Sequence, residues 1–321
     1  MVVLIVASVV AAGYIGTSIL LLKHPGLLHK KKKLAFNHCF HISHRGGAGE
    51  NLENTITAFR HAIDNCGTNM LELDCQLTKD GQVVVAHDDH LGRICGLQQR
   101  IKELNYAGKI SVSVPASSDR RIPLLTEVFD AFPDTPINLD VKTKDPELLE
   151  KVASIIESYN RESITPWGNW QNEIGKSCFR RNPNIPLIFS LRRCAHLLLL
   201  FYTGLLPFVP LKESCLELAM PSIFYERLHH VIQPNRPMRM FLRIMNYLLM
   251  SRTLFHHLRA RGIHVYVWVL NEQREYERAF NLGASGVMTD FPTKLRQYLD
   301  ENTIVVQEKG EDFVKPIAQI Y

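Results

Sequence analysis

From residue 37 to about residue 299, short apolar runs bounded by turn residues alternate with segments of helical periodicity, a rhythm that allows little besides a parallel α/β fold. Strands are predicted over 39–43, 70–77, 83–86, 137–141, 187–191, 264–270 and 286–289, and helices over 55–65, 126–132, 146–158, 253–261, 272–282 and 293–299. Asp145 and Pro146 illustrate a helix start: the carboxylate can cap, and proline suits the first turn, where its missing N–H is not needed. The count approaches eight strand-helix units, so a (β/α)8 TIM barrel is expected rather than an open sheet. In such a barrel the chemistry lies at the C-terminal strand ends.

Ahead of this region, residues 2–22 carry no charge and are almost wholly apolar. At helical rise they are just long enough to cross a hydrocarbon core of roughly 30 Å. Lys23, Lys30, Lys31, Lys32 and Lys33 follow, with no charge before the stretch and no small-residue cleavage site after it. A cleaved signal carries its charge first, so an uncleaved single-pass anchor is expected. The positive-inside rule then puts the barrel on the cytosolic side of a secretory-pathway membrane; charge does not fix the organelle, and the endoplasmic reticulum or perinuclear membrane is the expectation. Residues 23–38 read as a solvated basic linker, which can also be drawn to an anionic leaflet by about 1 kcal/mol per basic residue. Seven cysteines without a C-x-x-C pair fit a reducing compartment. The formal charge of +5 comes largely from the lysine run, and no aromatic-basic stripe is present, which argues against nucleic acid as a partner.

Two predicted strands carry charge at every second position. Glu72 and Asp74 share one strand face, while Leu71, Leu73 and Cys75 take the other. Asn138, Asp140 and Lys142 alternate in the same way with Leu139 and Val141. Inward charge is expensive in a packed core unless it is paired or binds an ion. Spacing alone admits two arrangements. Three acids with water suit one hard divalent cation, Mg²⁺ or Ca²⁺, and poorly suit a thiolate-seeking metal. Alternatively, Lys142 and the acids form a buried salt-bridge network.

Two histidines close predicted strands: His44, in His44-Arg45-Gly46-Gly47-Ala48-Gly49-Glu50, and His87, in Val83-Val84-Val85-Ala86-His87-Asp88. Gly46, Gly47 and Gly49 are expected to let a phosphate approach the backbone. His90 and the pairs His229-His230 and His256-His257 lack that setting and read as surface or interface residues.

Together with Glu53-Asn54-Thr55, Thr78-Lys79-Asp80-Gly81, Ile122-Pro123-Leu124-Leu125-Thr126-Glu127 and Met288-Thr289-Asp290-Phe291-Pro292, these motifs make the chain resemble the glycerophosphodiester phosphodiesterases from about His41 to Leu299. The anchor and overall size resemble the small membrane-anchored mammalian members that act as lysophospholipase D enzymes. The resemblance implies a TIM barrel of the PLC-like phosphodiesterase type. It implies His44 and His87 as acid-base residues and Arg45 as a phosphate-binding residue. Glu72 and Asp74 would be metal ligands, Asp140 would stand where a third acidic ligand, most often Glu, is usual, and Lys142 would match the basic residue two positions on. His87 can instead complete the metal shell, and Glu53 is a ligand or orients one. The implied cofactor is one divalent cation, Mg²⁺ or Ca²⁺. The implied reaction uses the neighbouring glycerol hydroxyl as nucleophile: in a lysophospholipid, the free 2-hydroxyl attacks phosphorus, a cyclic phosphate forms, and water opens it with the histidine roles reversed. Water-soluble diesters such as glycerophosphocholine, or lipid binding without turnover, are the competing functions.

Residues 197–211 are more apolar than a barrel loop requires and are broken by Pro207 and Pro210. A span here would place later strands across the membrane from earlier ones, so within an apolar insertion over about 192–250 they are expected either to lie against the membrane as an interfacial or re-entrant loop or to form a buried hairpin. Residues 224–228 and 238–250 are candidate continuations. Trp268 shares a strand face with Tyr266 and either fills the barrel or, as the resemblance implies, lines the pocket. A small insertion is expected over about 92–121, and a mobile polar tail over 300–321.

Overall fold

The computed structural model describes residues 1–36, 39–106, 121–231, 235–308 and 311–316, with backbone alone for 228–231, 303–308 and 311–316. Its strands are β1 (His41–Ser43), β2 (Met70–Leu77), β3 (Val83–Val85), β4 (Ile137–Val141), β5 (Trp167–Gly168), β6 (Cys215–Ala219), β7 (His264–Trp268), β8 (Gly286–Thr289), β9 (Thr303–Glu308) and β10 (Glu311–Pro316). Parallel pairing runs in the order β5-β4-β2-β1-β8-β7-β6. Leu187 and Ile188 bridge β5 to β6 in parallel through Trp167 and Cys215, which closes an eight-position barrel. The predicted strand over 187–191 therefore shrinks to two bridging residues, because Ser190 already precedes the helix Leu191–Tyr202. β3 is not a barrel stave: it turns back antiparallel on β2.

Alternation along the staves divides apolar from polar side chains. Leu71, Leu73, Leu139 and Val141 face outward into a cluster with the helices Leu125–Ala131 and Pro146–Ser158. Leu216, Leu218, Val265 and Val267 do the same on the other half of the ring. Inside, the lower barrel is filled by Ile42, Met70, Ile188, Cys215, Tyr266 and Met288. Above that layer the inward positions belong to Glu72, Asp74, Asn138, Asp140 and Glu217. The interior is thus oily toward the N-terminal strand ends and charged toward the C-terminal ends.

Residues 23–36 of the expected linker are not free, and 37–38 lie outside the described residues. Leu34 and Phe36 are buried in the interior cluster, where they plug the barrel floor. Lys32 donates its backbone N–H to Arg261 O (2.9 Å) and its Nζ to the carbonyls of Lys212 (2.7 Å) and Glu213 (2.6 Å). A lysine tied this way is lost to a lipid leaflet. Burial lowers its pKa.

The apolar helix Val2–Lys23 is docked over its last two to three turns. Tyr14 donates to Thr203 O, Ser18 to Gly204 O (2.7 Å), and His257 Nδ1 donates to Leu22 O (2.8 Å). His257 is fully buried, so the surface reading of that histidine is wrong, while His256 and His90 are exposed. The side chains of His229 and His230 lie outside the described residues.

Leu191–Tyr202 form a helix and Leu206–Phe208 a short 3-10 turn. Leu197, Leu200 and Leu206 enter the core, while Leu199, Tyr202, Leu205 and Phe208 remain exposed. Of the predicted insertion, 92–106 holds a helical turn packed on Leu91, Ile101 and Tyr106, and 107–120 lies outside the described residues. Of the expected mobile tail, β9 and β10 pair antiparallel, with Ile304, Val305 and Val306 supplying the β-branched run that favours a strand, and 309–310 and 317–321 lie outside the described residues.

Candidate active site

The turn after β1 carries the site. Arg45 (φ 52°) and Asn54 (φ 58°) both adopt the left-handed conformation, which is sparsely populated outside glycine. The turn is pinned at both ends by hydrogen bonds: Arg45 N–H donates to Glu72 Oε2 (2.9 Å), and Asn54 N–H to Arg45 O (2.8 Å). The glycines here serve packing, contrary to the expectation that they make room for a phosphate. A side-chain carbon would lie 2.8 Å from Phe59 at Gly46, 2.7 Å from Pro292 at Gly47 and 2.5 Å from Phe291 at Gly49. The space they leave is already filled by protein.

Each predicted acid-base histidine is held by a carboxylate. His44 Nδ1 is 2.6 Å from Asp290 Oδ1, and its Nε2 faces Glu72 at 3.9 Å. Asp290 Oδ2 in turn accepts from Asn271 (3.0 Å). His87 Nδ1 is 2.6 Å from Asp88 Oδ1, whose second oxygen accepts from Arg93 Nε (2.7 Å). Burial pushes the His44 pKa down, but Glu72 and Asp290 outweigh it and hold it above the ordinary histidine value. Asp290 lies below the usual carboxylate range: His44 and Asn271 overcome its burial.

The inward acids and bases form one network. Lys142 Nζ sits between Asp74 Oδ1 and Asp140 Oδ2, 2.6 Å from each. Arg45 Nε lies 3.5 Å from Asp74 Oδ2, which also accepts from Asn54 (3.0 Å), and Arg45 donates to Glu53 (3.1 Å). Asn169 donates to Asp140, and Asn138 to Glu217. Burial raises Glu72 to about 7, with Asp74 adding to the rise. Glu217 rises to about 8, chiefly through burial. Asp140 is also raised by burial, despite Lys142. Asp74 is buried as deeply, yet Lys142 and Arg45 keep it below the usual range.

The salt-bridge arrangement admitted by the spacing is therefore present, yet it leaves an excess of buried carboxyl groups. That excess, made wholly of oxygen donors, fits a hard divalent cation. A shared ion would need the acids drawn in around it. Among the described residues, the His, Cys and acidic side chains whose ligand atoms all lie within 4.8 Å of one another are Glu50, His61 and Cys66, outside this network.

Of the predicted residues, His44, Arg45, Glu53, Glu72, Asp74, His87, Asp140 and Lys142 all come to the C-terminal mouth of the barrel. Trp268, the last residue of β7, stands half-buried above Tyr266 on the interior cluster. Four contributors carry no role assigned from the sequence, although Asp290 lies in one of the motifs above. Glu217 lies on a strand that was not predicted, although its flanking Leu216 and Leu218 show the same alternation as β2. Asp290 and Asn271 come from separate strand ends. Arg93, from the insertion, donates to both oxygens of Glu53 at 2.7 Å and ties it to Asp88.

The family model described as "Glycerophosphoryl diester phosphodiesterase family" matches residues 44–294. The human protein "Lysophospholipase D GDPD1" is 52% identical over 298 residues, covering 89% of this chain and 94% of that protein. Human "Lysophospholipase D GDPD3" is 37% identical over 300 residues, covering 90% and 93%. Among solved structures, an Oleispira antarctica phosphodiesterase in complex with the product sn-glycerol-3-phosphate superposes with a TM-score of 0.59 at 18% identity, covering 81% of this chain and 96% of that one. A glycerophosphodiester phosphodiesterase from Agrobacterium tumefaciens gives 0.59 at 16% identity, covering 80% and 97%.

Proposed function

The chain belongs to the glycerophosphoryl diester phosphodiesterase family and is a phosphodiesterase, and we propose that it acts as a lysophospholipase D, converting lysophospholipids such as lysophosphatidylcholine or an N-acyl lysophosphatidylethanolamine to lysophosphatidic acid and the free head group. The observation that carries the chemistry is the pair of carboxylate-held histidines. Each has Nδ1 engaged and Nε2 left to exchange a proton with substrate.

A phosphodiester resists attack because its own oxygens repel a nucleophile. Arg45 and Lys142 place positive charge at the mouth, where a phosphate would sit between them. Glu72, Asp74 and Asp140 would hold the divalent cation, with Glu53 steadying Arg45; when bound, that ion adds charge neutralisation at phosphorus. One histidine takes the proton of the substrate 2-hydroxyl as it attacks phosphorus. The other protonates the leaving head-group oxygen. The roles then reverse as water opens the cyclic phosphate. Trp268 offers an aromatic wall beside this reaction.

The lipid, rather than a soluble diester, is favoured by the apolar helix Val2–Lys23 and by the exposed apolar side chains of 199–208. We place the barrel on the side of Lys23, toward the cytosol. The deciding assay incubates purified protein with lysophosphatidylcholine, an N-acyl lysophosphatidylethanolamine and glycerophosphocholine, each with Mg²⁺, Ca²⁺ or chelator. Lysophosphatidic acid release that disappears with chelator is expected. Turnover of glycerophosphocholine alone would overturn the substrate, and chelator-resistant turnover would overturn the cation.

A further inference from the structure

The docking of the helix Val2–Lys23 sets a length problem. Its free part, residues 2–13, extends about 18 Å at helical rise, whereas a hydrocarbon core is roughly 30 Å thick. The remaining apolar turns lie alongside the barrel. There Ser18 and Leu21 are buried against it and Tyr14 is turned toward it, while Ile15, Ile19 and Leu20 stay exposed on the outer side. The contacts are specific: Tyr14 stacks on Phe208 at 6.3 Å between ring centroids, and a side chain at Gly204 would meet Ser18 Oγ at 3.0 Å. The helix cannot reach across a bilayer unless the barrel surface beside it enters the bilayer too.

A second observation lies on that side. The helix Arg236–Leu249 has fourteen residues and none is buried. Met240, Phe241, Ile244 and Tyr247 form one apolar face, exposed by 46–76%, and Arg236, Arg239 and Arg243 flank it at i, i+3 and i+7. No acid interrupts it. An apolar face flanked by arginines is the pattern of a helix lying in a membrane interface. Tyr202 joins the two regions: its hydroxyl, at the end of the helix bearing exposed Leu199, donates to Leu248 O (2.9 Å).

We infer that the barrel is seated in the lipid bilayer itself, with Leu199, Leu205, Phe208 and the Phe241 face of the helix Arg236–Leu249 reaching acyl-chain depth beside the docked N-terminal helix. The depth needed for that helix to span is roughly 12 Å, the difference between core thickness and free helix. The inference rests on residues 2–23 being a membrane helix and is independent of the catalytic assignments.

All seven native cysteines are buried, so single introduced cysteines can be labelled selectively. Full-length Phe208→Cys, Phe241→Cys and Ser154→Cys proteins, the last at an exposed site on the helix Pro146–Ser158, are labelled with bimane and reconstituted in phosphatidylcholine vesicles containing phosphatidylserine. Quenching by nitroxides on the acyl chains is compared with quenching by aqueous iodide. Positions 208 and 241 should be quenched at least threefold more by the chain nitroxide than by iodide, with the opposite ranking at 154. Iodide quenching at 208 and 241 equal to that at 154 would overturn the seating. So would shielding from both quenchers together with disulfide cross-linking of Phe241→Cys between copies, which would assign the face to a second copy of this chain. Alkaline extraction of the same vesicles checks the membrane helix separately, and micellar lysophosphatidylcholine turnover checks the enzyme reading separately.

Discussion

Replacing Asp290 with asparagine tests whether His44 works as a carboxylate-oriented acid-base group. The side chains are close in size, so the change is mainly one of charge and hydrogen-bond direction. Asn271 Nδ2 donates to Asp290 Oδ2 at 3.0 Å, and this contact holds the new amide oxygen in place. The amide NH₂ then faces His44 Nδ1 and forces the tautomer protonated on Nε2. The lost bond, 2.6 Å long between partly buried partners, belongs to the class of charged hydrogen bonds worth about 1.5–3 kcal/mol. At 1.36 kcal/mol per tenfold, kcat should fall about 10- to 150-fold. KM should change little, because Asp290 touches the histidine and not the substrate. The pH profile should also move. Asp290 helps hold the His44 pKa above its ordinary value, so its neutralisation shifts the limb that needs protonated His44 to lower pH. The assay is steady-state release of lysophosphatidic acid from lysophosphatidylcholine between pH 5 and 9, with the thermal midpoint as a folding control. A folded variant with kcat within threefold of the parent and an unmoved profile would refute the role.

Gly49→Ala tests packing against ligand approach: with a new carbon 2.5 Å from Phe291, thermal denaturation should show a loss of about 1–3 kcal/mol, typical of overpacking, even without substrate. Glu217, raised to about 8, keeps its proton in the folded protein but loses it above pH 4.5 when unfolded, so it weakens folding as pH rises from about 4.5 to 8. Glu217→Gln should therefore stabilise the chelated protein in urea titrations at pH 7.5 and make no difference at pH 4.5, whereas Glu217→Ala, which strands Asn138, should cost about 1–3 kcal/mol at the lower pH. His41, held near 3 by burial, must stay neutral to fold. Its share of stability is complete above pH 6.5 and falls by up to about 1.4 kcal/mol per unit as pH drops from 6.5 toward 3, so His41→Gln should flatten that slope in a denaturant series. Arg93→Ala unties Glu53 from Asp88, leaving each with its other partner, Arg45 and His87; because Arg93 is half-exposed, stability should drop by less than about 1 kcal/mol, with a larger loss in turnover.

The sequence by itself determined the barrel class and made most of the candidate site legible, for a local reason. In a strand the side chain alternates sides with period two, so Glu72 with Asp74, and Asp140 with Lys142, reveal an inward charged face without knowledge of any neighbour. The apolar run over 2–22 is equally local, since length and composition alone mark it. What alternation does not give is the partner. Lys142 lying between Asp74 and Asp140, Asp290 behind His44, and Arg93 joining Glu53 to Asp88 are contacts between elements far apart in the chain. Only the tertiary fold brings them together, through β2 lying against β4 and β1 against β8. The same holds for β5 and the bridge at Leu187 and Ile188, whose two-residue runs are too short to show a period and form because paired strands stand on either side. The glycines after His44 looked like ligand space because a missing side chain does not say what fills its place; Phe59, Pro292 and Phe291 do. The fate of the N-terminal helix was decided there too. Composition made it long enough for a membrane, but the contacts of Tyr14, Ser18 and Leu22 fixed how much of it is free to cross one.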